Sequence, residues 1–296
     1  MIEESRAMRL TRQLGMERLA WALRRLHCPV GSDALVLEVG SGGNPYARAN
    51  VLLDAYEETR ERHWTPLSVD RPFVFGSVER LPFRTRAFDF VIASHLIEHV
   101  ADPARVLGEL ERVAPAGYIE VPDAFMERVN PYLDHRLEIT SRGGALVIRK
   151  KVGAIADAGL VELYEDRVKP VLTGETIPRH PFLFHVRHYW EGRIAFTVVN
   201  PEVDASWPAP RGPERPQVTT PGGGLRAAFA SVLRGLLSQR SRNASIDLAS
   251  LLRCPACEGT ALRSEPSAIT CGGCGVAYPV RDGLPYLFAP KDGPRT

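Results

Sequence analysis

Two groups of residues in this chain have types and spacing suited to chemistry. The first is Glu38, Gly40, Ser41, Gly42 and Gly43, followed by Asp54. Glycines at the end of a short apolar segment turn the chain sharply and let a ligand approach the backbone without meeting a Cβ; the amides of the next turn then bind it. Glu38 is placed to accept from a cationic or hydroxylated part of such a ligand. A carboxylate at Asp54 can accept both hydroxyls of a ribose, although it follows the loop somewhat sooner than the roughly 20 residues of a dinucleotide fold. An ordinary turn and a solvated acid at a strand end are the plainer alternatives. The second group is Cys254, Cys257, Cys271 and Cys274, two CxxC pairs with thirteen residues between them. Four thiolates in two tight turns offer the tetrahedral soft-donor set of a structural Zn²⁺. A disulfide or redox pair is the competing reading, and the presence of two paired motifs argues against it.

These residues need elements to hold them. Val36–Val39 reads as a short buried strand, and Val51–Asp54 as a second one ending in an acid. Phe73–Phe75 makes a third and Phe88–Ser94 a fourth. A helix starts at Asp102-Pro103, with Asp102 as cap, and runs to about Val113; Gly117–Val121 is the fifth strand. Residues 3–27 read as one amphipathic helix, ended by Pro29 and Gly31. Strands alternating with helices at this spacing predict an α/β protein with a doubly wound, Rossmann-like parallel sheet.

The segments Glu38-Val39-Gly40-Ser41-Gly42, Asp54, Leu81-Pro82-Phe83 and Phe88 through Val100 together resemble class I S-adenosylmethionine-dependent methyltransferases, in the subgroup with an FDxVxxxxxxEHV segment. The resemblance covers about residues 33–122. It implies that Glu38 and the Gly40, Ser41, Gly42, Gly43 loop hold the methionine end of the cofactor and Asp54 its ribose. Ser77 and Val78 would meet the adenine, and Ser94 and His95 would face the sulfonium. Two positions depart from the family pattern. Asn44 stands for the third glycine, and Ser77 stands where the family usually has an aspartate.

Methyl transfer to oxygen or nitrogen is an in-line displacement that requires alignment, desolvation and often removal of a proton. His95 is the candidate base, since an unperturbed imidazole titrates near neutrality; His135 is a second candidate. His95, Glu98 and His99 form an HxxEH arrangement whose members converge if the segment is helical. Some methyltransferases resembling this segment place ExxEH there to hold Mg²⁺, and His95 is a softer ligand than the first Glu of that set. The alternative is that Glu98 and His99 cap the turn after the fourth strand.

From 123 to 199 the pattern changes to two predicted hairpins. The first pairs residues 136–139 with 145–149 around Ser141–Gly144. The second pairs 182–189 with 193–199, and residues 152–163 read as a helix. By the resemblance this is the acceptor side, and His135, Arg136, His180, His185, Arg187, His188, Tyr189 and Trp190 suit a polar or anionic acceptor such as a glycan. They equally suit a solvated hairpin face. Residues 200–224 form a Pro- and Gly-rich linker, followed by a helical segment at 225–244.

Residues 245–296, with the cysteines and the tail Ala277-Tyr278-Pro279-Val280-Arg281-Asp282-Gly283-Leu284-Pro285-Tyr286-Leu287, resemble the small zinc-binding Trm112-like domain. Members of that family stabilise and activate methyltransferases. The resemblance implies a zinc-ribbon-like module that docks on the catalytic domain of its own chain, with residues 1–199 as the methyltransferase domain.

Composition sets the outer bounds. The 296 residues carry a net charge of +2, with 44% apolar and 24% charged residues. This gives no case for wholesale nucleic-acid or membrane binding. No apolar run spans a bilayer, and the amino terminus does not read as a secretory signal. Clustered CxxC pairs suggest a reducing, cytoplasmic setting. Cys28 reads as a small buried apolar residue. The expected activity is S-adenosylmethionine-dependent O- or N-methylation of a small molecule or glycan, with a structural Zn²⁺ in the module. RNA or protein acceptors are the alternative within the enzyme class, and a degenerate fold serving as a binding scaffold is the alternative outside it.

Overall fold

The computed structural model describes residues 1–59, 62, 64–129, 132–154, 158–208 and 238–290. The chain divides into two compact units. The first comprises Met1–Pro29, Ala93–Ala104 and Tyr118–Gly212; the second comprises Val30–Ile92, Arg105–Gly117 and Pro213–Thr296. Strands β4 (Phe90–Ser94) and β5 (Ala116–Pro122) begin in the second unit and end in the first.

The second unit is built on parallel strands. β1 (Val36–Val39) pairs with β2 (Val51–Asp54), placing Glu38 opposite Leu52, and β2 pairs with β3 (Phe73–Gly76), placing Asp54 opposite Phe75. Every residue of these three strands is buried, as expected of parallel strands covered on both faces. Helix α3 (Pro103–Val113) contributes Val106, Leu107, Leu110 and Val113 to the core of this unit, all fully buried. Arg112 ties the helix to the Leu81–Phe83 segment, donating to the carbonyls of Phe83 (2.7 Å) and Leu81 (3.0 Å).

The cysteine-bearing region continues the same sheet. Strands β10 (Leu262–Ser264), β11 (Ala268–Cys271), β12 (Ala277–Arg281) and β13 (Leu284–Leu287) form an antiparallel meander, and β13 then pairs parallel with β3. The strand order in the second unit is therefore β10-β11-β12-β13-β3-β2-β1. Tyr286 stacks on Phe75 with ring centroids 4.4 Å apart and donates to Glu57 Oε1 at 2.8 Å. Phe288, Phe73, Leu52 and Ala49 complete the same buried cluster. A second seam forms at Leu81–Arg84: Arg84 N–H donates to Leu251 O (2.9 Å) and Arg253 N–H to Pro82 O (3.0 Å), around a β-bridge between Phe83 and Leu252.

The expected helix after the linker is described only at its end. Residues 225–237 lie outside the described residues, and Arg240–Ala244 is helical. Asn243 and Gln239 accept from the Asn50 amide, whose Oδ1 in turn accepts from Val36 N–H, so this turn is fastened to β1.

In the first unit, the helix expected over 3–27 is two helices, α1 (Arg6–Gln13) and α2 (Glu17–Leu23). Gly15 adopts φ +72°, and Met16 N–H reaches back to Thr11 O (2.8 Å) while Gly15 N–H reaches Arg12 O. This is a glycine-terminated helix end, which the unbroken apolar periodicity concealed. The first predicted hairpin forms: β6 (Leu137–Arg142) pairs with β7 (Ala145–Lys150), and Gly143 and Gly144 hold φ +57° and +79° in a two-residue turn.

The second predicted hairpin does not form. β8 (His185–Glu191) neighbours β5, whereas β9 (Phe196–Val198) runs parallel to β7. Only a Glu191–Arg193 bridge links the two around Gly192, because each strand has a better partner elsewhere. Helix over 152–163 is confined to Ala158–Leu163; residues 155–157 lie outside the described residues, and helical turns continue from Tyr164 to Phe184.

Candidate functional site

The glycine loop takes the left-handed backbone that its sequence implies, with Gly40 at φ +65° and Gly42 at φ +57°. Its end is pinned to the tip of β2: Ser41 N–H donates to Leu53 O (3.2 Å) and Gly42 N–H to Asp54 Oδ2 (3.0 Å). The other Asp54 oxygen accepts from Tyr56 N–H (3.2 Å), and Arg62 Nη1 stands 3.6 Å from Oδ2. Burial raises the Asp54 carboxyl above its ordinary range, against the opposing pull of Tyr56 N–H, Arg62 and Gly42 N–H. Glu38, 2% exposed, accepts from Tyr46 N–H at 2.7 Å and so shapes the descending side of the loop. Gly43 has no room for a side chain, since a Cβ there would lie 2.4 Å from Pro66 O.

One polar atom in this loop is orphaned. Ser41 Oγ is buried and has no hydrogen-bond partner among the described residues. Together with the left-handed glycines, it fits a loop meant to receive a polar ligand. Ser77 is already employed: its Oγ accepts from Glu79 N–H (3.2 Å) and caps the turn Val78–Arg80, leaving its hydroxyl proton for a ligand.

Ser94 and His95 lie in the first unit, at the end of β4. His95 has φ +53°, and its N–H donates to Glu120 O at 2.7 Å. Its ring is bracketed by two carboxylates, Nδ1 at 3.4 Å from Glu98 Oε1 and Nε2 at 3.4 Å from Glu120 Oε1. Desolvation pulls the His95 pKa down, but Glu120 and Glu98 outweigh it and push the ring up to about 9; 43% of the side-chain surface nonetheless stays open. The two carboxylates thus favour the protonated ring, the form that donates a proton and does not accept one.

Glu120 is the hub that sequence reasoning missed. It is fully buried and takes a two-pronged contact from Arg24, with Nε at 2.7 Å and Nη2 at 2.8 Å. Tyr118 OH and Ser94 Oγ also donate to it. Although burial opposes ionisation, His95 and Arg24 hold its carboxyl well below the ordinary range. The signal was available: a lone carboxylate inside the apolar strand Gly117–Val121 must be paired.

The expected HxxEH helical face is not an α-helix. Only a single tight turn, Ile97–His99, follows the left-handed His95. Glu98 and His99 instead converge with His135, whose Nδ1 contacts Glu127. The aromatic and basic acceptor-side residues do not gather in one place. On β8, His188 and Trp190 are buried, while His185, Arg187 and Tyr189 line the other face. Arg187 stacks among Tyr118, Tyr189 and Phe182, His180 pairs with Glu17 at 3.5 Å, and Arg136 reaches Ala205 O.

The four cysteines come together as expected, one sulfur from each within 4.8 Å of the others. Cys254 and Cys274 sulfurs are 3.7 Å apart, and those of Cys257 and Cys271 are 3.6 Å apart. A tetrahedron of ~2.3 Å Zn–S bonds places its sulfurs about 3.8 Å apart, so the set fits such an ion. Backbone amides of Cys274 and Gly273 point at Cys271 Sγ and lower it to about 6, and Tyr278 OH lies 2.9 Å from Cys254 Sγ.

Comparison with known proteins agrees with this layout. Residues 37–120 match the family model described as "Methyltransferase domain", and residues 246–283 that described as "Trm112p-like protein". No curated protein matches. Among solved structures, the chain is similar to one from a complex between the Haloferax volcanii Trm112 methyltransferase activator and a methyltransferase. That alignment has 19% identity and a TM-score of 0.38, covering 63% of this chain and 96% of that one. It is similar also to an S-adenosylmethionine-dependent methyltransferase from Thermotoga maritima, at 23% identity and a TM-score of 0.28, covering 41% and 57% of the two chains. A third, from Mesorhizobium loti, has 17% identity and a TM-score of 0.30, covering 45% and 64%. The chain therefore carries a segment of the methyltransferase-domain family at residues 37–120 and one of the Trm112p-like family at residues 246–283, both in the same polypeptide.

Proposed function

We propose that this enzyme methylates an oxygen or nitrogen of a small molecule or glycan, with S-adenosylmethionine held at the β1–β2 edge. The observation that carries the cofactor part is the loop itself: Gly40 and Gly42 in left-handed backbone, Gly42 N–H anchored on Asp54, and Ser41 Oγ buried without a partner. In this reading Glu38 and residues 40–43 meet the methionine end, Asp54 the ribose, and Ser77 and Val78 the adenine. S-adenosylmethionine supplies an electrophilic methyl group. The chain supplies the alignment.

The near-neutral charge of the chain favours a small acceptor over RNA. Zn²⁺ in the four-cysteine cluster would stabilise the module, and the module in turn covers the β3 edge of the sheet through Tyr286 and Phe75. In this reading the module acts as a built-in stabiliser and activator, and binding the acceptor is not its main task. Four paired thiols suit a reducing compartment, which we read as the cytoplasm; among the described residues no helix is long and apolar enough to cross a membrane.

Radiolabelled methyl transfer into fractionated lysate tests the acceptor class. Label in metabolites or polysaccharide supports the proposal, and label confined to RNA or protein overturns it. No label in any fraction, with no cofactor binding, would identify the fold as a scaffold.

A further inference from the structure

We propose that Glu98, His99 and His135 form a second metal centre, separate from the four-cysteine cluster, that takes a divalent transition ion of the zinc class. One donor atom from each of the three residues lies within 4.8 Å of the others. Glu98 is 1% exposed, and neither of its carboxylate oxygens has a hydrogen-bond partner among the described residues, although His95 Nδ1 stands 3.4 Å from Oε1. His95 offsets this charge from the Oε1 side without a hydrogen bond, so the buried carboxylate keeps lone pairs for a further cation.

The surroundings are arranged as they are around metal-bound histidines. Nδ1 of His135 contacts the Glu127 carboxylate, itself 2% exposed, which places the ring proton on Nδ1 and leaves the Nε2 lone pair for a ligand bond. Tyr132 stacks on the His135 ring at 4.5 Å and His99 meets it edge-on at 4.6 Å, so the imidazole cannot swing freely. Arg136 N–H donates to Glu98 O at 2.7 Å and binds the two contributing segments together.

Two imidazoles and one carboxylate are a borderline donor set, suited to Zn²⁺ or Co²⁺ and poor for Mg²⁺, which prefers oxygen. Three protein ligands leave coordination positions open, as in sites that bind a water or a substrate group. This inference does not rest on the methyl-transfer reading.

The full chain, stripped of metal and titrated with Co²⁺, tests it by stoichiometry and visible absorption. The cysteine cluster gives intense thiolate-to-cobalt charge-transfer bands. The second centre is expected to add a further equivalent with ligand-field bands and no further charge transfer. His135→Gln and Glu98→Gln should each remove that equivalent and leave the thiolate bands intact. Glu127→Gln, which removes a supporting carboxylate but no ligand, should weaken it about 10–100-fold. If Glu98→Gln does not fold, the other two variants carry the test. A single equivalent showing only thiolate bands, or a second one unchanged by His135→Gln, overturns the proposal.

Discussion

Arg24 and Glu120, 96 positions apart in sequence, meet through two hydrogen bonds of 2.7 and 2.8 Å with both side chains almost wholly buried. The contact joins the end of the amino-terminal helical region to β5. The Arg24 guanidinium also lies 3.6 Å over the Trp21 ring, which fixes its orientation. A buried pair of this kind need not add stability compared with an apolar pair, but breaking one side leaves an uncompensated charge.

Arg24→Met is therefore expected to destabilise the protein by about 3–5 kcal/mol. Its pH dependence follows from Glu120, whose carboxyl is depressed in the folded state. The stabilisation is present above the unfolded pKa near 4.5 and is lost as pH falls toward the folded value. Urea melts across the acid range should show the wild type losing stability progressively as pH falls below about 4.5, and the gap between wild type and Arg24→Met narrowing there, because protonation of Glu120 relieves the uncompensated charge.

Tyr286→Ala should loosen the module from the sheet, because it removes the stack on Phe75 and the hydrogen bond to Glu57. The cost expected for truncating a buried aromatic is about 3–5 kcal/mol. Tyr286→Phe keeps the stack and should cost about 1 kcal/mol. Amide exchange at Phe73–Gly76 reads the difference, with protection lost in the alanine variant and kept in the phenylalanine one.

Cys254→Ser, or a strong chelator, should unfold the meander β10–β13, since the module is too small to hold itself by its core alone. Loss of far-UV strand signal and faster proteolysis within 246–290, with β1 and β2 still protected, is the expected result.

Gly43→Ala tests the loop. Its Cβ would lie 2.4 Å from Pro66 O and 2.7 Å from Thr65 Cγ2, so backbone must move. A cost of about 1–3 kcal/mol is expected, read as a lowered denaturation midpoint and weakened cofactor binding.

What could be read from sequence was local. The left-handed glycines of the loop, the acid that ends β2 and the Gly143-Gly144 turn each depend on residues a few positions apart, and the two CxxC pairs come together over a span of 20 positions. What could not be read was long-range choice of partner. Val199 and the β9 strand look like half of a hairpin until β7 competes for them. Leu81–Phe83 reads as a connection until Leu252 and Arg253 arrive from about 170 residues away to pair with it. Arg24 looked like one arginine among several on a helix, and nothing nearby names Glu120. His135 lies 36 positions from His99, and no spacing rule links it to Glu98. At Gly15 the signal was present but was outweighed by apolar periodicity on either side.

The central claim is that the β1–β2 edge binds S-adenosylmethionine, and calorimetric titration of the full chain with the cofactor and its demethylated product tests it most directly. One saturable site is expected, weakened about tenfold or more by Asp54→Ala through loss of the carboxylate that anchors Gly42 and accepts the ribose hydroxyls. Absence of binding by either ligand to the folded, metal-loaded protein would contradict the account.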